Sequence, residues 1–219
     1  MVADWRRSYG LFYLADNWRN NLRQFHQQPY QQGKGLFMTS QSTIKNSEQH
    51  WGWLSKSLHW LTALFILIQI PLGIYAEEME NSPLKLELFG WHKSLGIVIL
   101  MLAIMRLLWR MAGTVPALPD ASAVQRRLAN LAHTVLYGLM LFLPLSGWVM
   151  SSAANRPVSL FGLFELPALV APDDAIKVMA SQAHHIAVDI LIVVLVSHIA
   201  AALYHHFKLR DTVLKRMWF

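Results

Sequence analysis

The chain has 219 residues, 54% of them apolar and 15% charged, and no cysteine. The missing thiols exclude structural disulfides, thiolate metal ligands and iron–sulfur clusters held by this chain. The formal net charge of +6 collects beside long apolar runs, where it serves to orient a membrane protein and lends a nucleic-acid partner little support.

Residues 1–50 are polar and rich in Gln and Asn, with Trp5, Tyr9, Phe12 and Tyr13 scattered among them and no apolar run suited to a signal peptide. Gly33-Lys34-Gly35 back-translates to a purine-rich GG-AA-GG tract, and Met38 follows within a few codons. That arrangement of ribosome-binding site and start codon predicts a mature protein beginning at Met38, with residues 1–37 an upstream extension. Residues 51–219 form the folded domain. Its first charge-free run, Ser57 to Ala76, has twenty residues, and a later one, Leu128 to Asn155, has twenty-eight. Either spans a hydrocarbon core of roughly 30 Å. Leu88 to Met111 carries its few charges near the two ends, and Val178 to Phe207 contains one acidic residue, Asp189. The expectation is an all-α, integral membrane four-helix bundle, anchored at its interfaces by nine Trp and six Tyr.

Topology follows from the basic residues, which stay on the cytoplasmic side. Fifteen of nineteen Lys and Arg lie in the N-terminal segment, in the link carrying Arg106, Arg110, Arg126 and Arg127, or in the tail with Lys208, Arg210, Lys215 and Arg216. Both termini are therefore expected in the cytoplasm. The other connections hold Glu77, Glu78, Glu80, Glu87, Glu165, Asp173 and Asp174 against Lys85, Lys93, Arg156 and Lys177.

Histidines inside membrane spans are costly and point to function. His59 and His198 fall toward the cytoplasmic side, His92 and His184 toward the other. Fourteen residues separate His184 from His198, which returns a helical side chain to nearly the same face about 21 Å further on. One helix can thus offer an axial ligand to each of two stacked haems. His59 is the expected partner of His198 at the inner iron, and His92 the partner of His184 at the outer. Two neutral imidazoles saturate the axial positions, so such an iron transfers electrons rather than binding oxygen. Arg106 follows His92 by fourteen residues and is placed to pair with a propionate of the inner haem; orientation on the cytoplasmic side or contact with a lipid phosphate is its other reading. Gly73, Gly96, Gly138 and Gly147 suit close approach of a helix or a porphyrin.

The remaining histidines divide by position. His133 is a weaker alternative to His59 as ligand, with a proton or quinone contact or plain packing ahead of ligation. His185 points away from the His184 face. His205 and His206 stand beside Lys208 at the interface, and His26 and His50 are expected in water. Asp189, between the two levels, is expected to be protonated or paired, as a relay group or an acceptor for a neighbouring hydroxyl.

Several motifs resemble those of the bacterial cytochrome b561 family, whose four-helix pattern is shared by the cytochrome b subunits of nickel–iron hydrogenases. They are Ser57-Leu58-His59-Trp60, His92 with Ser94 and Gly96, and Arg106-Leu107-Leu108. Leu131-Ala132-His133 with Tyr137 and Pro144 follows, then the run from His198 through His205-His206 to Arg210-Asp211-Thr212 and Leu214-Lys215-Arg216-Met217. The resemblance runs from about Ser55 to the C-terminus. It implies two b-type haems at His59, His92, His184 and His198, electron exchange with the quinone pool, and a place in the bacterial inner membrane.

Some members of that family are superoxide oxidases, expected to gather their anion with outward basic residues. Here the first outer loop runs from Glu77-Glu78 through Glu80 to Glu87, an acidic rim that repels a small anion. The preferred reading is a transmembrane electron carrier between a quinone and a periplasmic or membrane redox partner. Superoxide oxidase is the enzymatic alternative, and an anchor subunit of a larger dehydrogenase or hydrogenase a third. A histidine-based metal transporter is disfavoured, because paired depths do not converge on one ion.

Overall fold

A computed structural model of the chain describes residues 44–48, 50–116 and 122–219. The Met38 start, residues 1–37 and His26 lie outside the described residues. Four helices dominate: α1 (Trp53–Glu78), α2 (Pro83–Ala112), α3 (Ala123–Ala153) and α4 (Asp174–Tyr204). All four are long and apolar enough to cross a membrane.

The helices begin earlier than the charge-free runs, and α2, α3 and α4 start at side-chain caps, whereas α1 begins after Gly52 with none. Ser82 caps α2 by accepting from Lys85 N–H, and Pro83 occupies the first turn, where its missing donor costs nothing. Ser122 and Gln125 form a reciprocal capping box that brings Arg126 and Arg127 inside α3. Asp173 caps α4 through Ile176 N–H. Beyond α4 the chain widens into a π turn, His205–Leu209, which ends where Arg210 turns left-handed at φ 55°.

Consecutive helices pack on one another, α1 on α2, α2 on α3 and α3 on α4. The shared core is thin: Ile66, Ile99, Ala103, Leu139, Met140, Leu143, Ala187 and Leu191. Large apolar side chains such as Leu67, Leu108, Leu131 and Val193 face outward instead. Outward apolar faces suit lipid, which removes the penalty that water would impose on them.

The all-α expectation needs one addition. Between α3 and α4 the chain forms an antiparallel hairpin, β1 (Val158–Leu160) with β2 (Phe164–Leu166). Phe161 and Gly162 turn it with φ of 51° and 74°, the left-handed pair that matches strand twist. Ser94 of α2 holds the hairpin down. Its hydroxyl bonds Ser159 O at 2.9 Å and accepts from Phe161 N–H at 2.9 Å. Strands this short give no alternating pattern to read in advance.

Candidate functional site

At one end of the bundle, α1 presents His59 and α4 presents His198, with ring centroids 6.4 Å apart. His133 of α3 comes still nearer to His198, at 5.5 Å. Arg106 of α2 stacks over the Tyr137 ring at 5.4 Å and lies within electrostatic reach of His59, His133 and His198. The C-terminal turn closes this end. Trp60 Nε1 donates to Met217 O at 2.7 Å, and Lys56 Nζ to Trp218 O at 2.8 Å.

At the other end, His92 of α2 faces His184 of α4, again with centroids 6.4 Å apart. They border an apolar cleft walled by residues such as Ile66, Ile99, Met140, Leu143, Val188 and Leu191. Glycines from the other two helices back the rings. A Cβ on Gly73 would stand 2.6 Å from His92 Cε1, and one on Gly147 would stand 3.4 Å from His184 Cε1. Gln69 Nε2 donates to His92 O at 2.8 Å and ties α1 to α2 there.

The two levels share one register. Each helix carries a site residue and its counterpart fourteen positions on: His59 and Gly73 in α1, His92 and Arg106 in α2, His133 and Gly147 in α3, His184 and His198 in α4. Fourteen residues at 3.6 per turn repeat the face about 21 Å along, so all four helices address both ends with one stripe each. The glycines leave room at the level where a helix contributes no ring.

Other side chains lie off this stripe. His185 points out of the bundle and meets Glu77 at 3.0 Å. Asp189 stands at a height between the two ring pairs but lies on the outward, exposed face of α4, about 140° around the helix from His184. His205 Nδ1 pairs with Asp211, and His206 packs its ring on Phe207 at 4.8 Å. His50 is exposed. Lys93 lines the cleft, with its ammonium on Pro157 O at 3.2 Å, and it feels the charge of Arg156.

The sequence reading missed Ser146, whose signal is only a hydroxyl in a long helix. Its Oγ donates to Leu143 O at 2.9 Å and lies 3.0 Å from His184 Nδ1. With its proton given to Leu143 O, the Ser146 hydroxyl is an acceptor suited to a His184 Nδ1–H, the tautomer that leaves Nε2 its lone pair for a metal.

Residues 50–219 match the family model described as prokaryotic cytochrome b561. The chain belongs to that family. It is 33% identical over 183 residues to Cytochrome b561 homolog 2 of Escherichia coli K12, covering 80% of this chain and 94% of the relative. Cytochrome b561 homolog 1 of the same organism is 30% identical over 162 residues, 73% of this chain and 92% of the relative. A Yersinia pestis protein named "Probable superoxide oxidase CybB" is 30% identical over 168 residues, 75% of this chain and 93% of its own. The cytochrome b561 family works in membrane electron transfer and carries b-type haem, and this member is a bacterial multi-pass membrane protein.

The residues present fit such a group. At one end His59 stands across from His198 with His133 beside them, and at the other His92 stands across from His184, so each end offers imidazoles from different helices to one group. An imidazole nitrogen sits about 2 Å from its metal with the ring centre ~1 Å behind, so two rings facing one metal stand roughly 6 Å apart. The observed 6.4 Å agrees.

Proposed function

We propose that this cytochrome b561 carries electrons across the bacterial inner membrane through two bis-histidine b-type haems and exchanges them with the quinone pool. The observation that carries the reading is the pair of facing imidazoles at each end of the bundle, joined by α4 through His184 and His198. Bound haem iron supplies one-electron redox chemistry. The chain's part is to hold and insulate. His59 and His198 are the ligands proposed at the cytoplasmic end, His92 and His184 those at the outer end. The apolar walls of the cleft exclude water, Ser146 keeps His184 in its ligating tautomer, and Arg106 offers its guanidinium to a propionate at the inner level. The basic flanks orient both termini to the cytoplasm.

A reduced-minus-oxidised spectrum with haem quantification tests this. Two haems per chain are expected, with His59→Ala and His198→Ala removing one spectral component and His92→Ala and His184→Ala the other. If His198→Ala and His92→Ala removed the same component, the pairing would be wrong. His185→Ala should leave both haems bound.

One observation favours a second reading, superoxide oxidation at the outer end. Lys93 and Arg156 bring positive charge to the cleft that holds His92 and His184, and the Yersinia relative carries that activity in its name. Against it stand the exposed carboxylates of Glu77 and Glu78 at the end of α1, Glu80 in the loop and Glu87 in the first turns of α2. The acidic residues outnumber the two cations, and the carrier reading is preferred.

A further inference from the structure

Asp189 stands midway along α4, fifteen residues from Asp174 and fifteen from Tyr204, about 22 Å from either end. It is exposed, turned about 140° from His184 and out of the bundle. Its neighbours on that face are apolar: Ile186, Val193 and Val196 are 60%, 66% and 61% exposed, and Ala200 continues the stripe. Polar groups nearby have partners, since Ser197 Oγ donates to Val193 O at 2.8 Å and His185 meets Glu77. Among the described residues Asp189 has no hydrogen-bond or charge partner. Hydrocarbon offers a carboxyl neither donor nor acceptor, so a carboxyl at this depth calls for another protein surface.

We propose that this face of α4 is a homodimer interface, in which Asp189 of each copy meets Asp189 of the other through reciprocal hydrogen bonds between protonated carboxyls. Copies in one membrane share an orientation, so a two-fold axis along the membrane normal brings identical residues to identical depth. A protonated carboxyl has one donor and one acceptor and is therefore complementary to itself. The pair satisfies both groups without placing net charge in the bilayer. A foreign helix would have to supply a matching donor at this height, whereas a second copy brings it automatically, in the symmetry commonest among oligomers. The β-branched and small residues beside Asp189 make a smooth ridge along which two helices can lie.

The cysteine-free sequence makes the test clean. Single Val193→Cys and Val196→Cys variants, oxidised in native membranes, should give a disulfide-linked species of twice the chain mass. Ile104→Cys, on the outward face of α2 and 44% exposed, should not. In the Val193→Cys background, Asp189→Leu should cut cross-linking at least tenfold, while Asp189→Asn, still both donor and acceptor, should retain it. Haem absorbance, read in parallel, reports intact folding. Should Asp189→Leu fail to accumulate, the comparison of positions 193 and 196 with 104 decides. Cross-linking at 193 no higher than at 104, dimers undiminished by Asp189→Leu, or a cross-link to a polypeptide of another mass would each overturn the proposal.

Discussion

Gly73 lies where α1 passes behind the His92 ring, and the proposed outer haem makes that contact measurable. In Gly73→Ala the new Cβ would stand 2.6 Å from His92 Cε1 and 3.0 Å from Nδ1. Ordinary contact begins near 3.4 Å, so the ring or the helix must give by about 0.8 Å. Overpacking of this kind costs about 1–3 kcal/mol. If that cost falls on ligation by His92, haem affinity at the outer site drops by roughly five- to hundredfold, at about 1.4 kcal/mol per decade. Gly147→Ala is the matched control: its Cβ would meet His184 at 3.4 and 3.6 Å, ordinary contact, and affinity should change by less than about twofold. Haem content per chain, read with a redox titration that resolves the two components, is the assay. Gly73→Ala should deplete the component that His92→Ala abolishes and spare the one that His59→Ala abolishes. Full loading at both sites in Gly73→Ala, or depletion of the His59 component, would refute the placement of His92 as a ligand against this glycine.

Ser146→Ala should remove the acceptor that holds the His184 tautomer, weakening the outer haem about tenfold or more, as loss of such supporting bonds does at metal sites, and shifting only that component's midpoint potential. Changing Glu77, Glu78 and Glu80 together to Gln should speed reduction by superoxide and slow reduction of a basic protein partner, both effects fading with salt; stopped-flow rates near the diffusion limit in the unmodified protein, unchanged by the triple substitution, would make superoxide oxidase the better assignment. Asp211 lies beyond α4. Its slight burial pushes its carboxyl upward, but hydrogen bonds from His205 and from Val213 N–H, with the charges of His205 and His206, outweigh this and hold it below the usual carboxylate range. A depressed value means the tail is anchored at neutral pH and loosens as pH falls through that value; Asp211→Asn should mimic the acid state at pH 7, seen as faster hydrogen exchange across His205–Phe219.

The spans were legible because hydrocarbon imposes one demand along a continuous stretch of chain, and charge-free runs such as Ser57–Ala76 and Leu128–Asn155 answer it locally. The fourteen-residue interval between His184 and His198 was legible for a similar reason, since helical periodicity converts sequence distance directly into face and height. Local patterns do not say which helix stands beside which. The approach of His59 to His198, with His133 nearer still, depends on how α1, α3 and α4 close around one end. Tertiary packing also decided the hydroxyl of Ser146 against His184, the backing of His92 by Gly73, and the stacking of Arg106 on Tyr137. These contacts join residues 19 to 38 positions apart on different helices, and no periodicity ties them. Asp189 shows the division within one residue. The sequence put a carboxyl at mid-membrane depth, but only the rotation of α4 against its neighbours determined that it faces outward, because that rotation is set by which side chains fill the core.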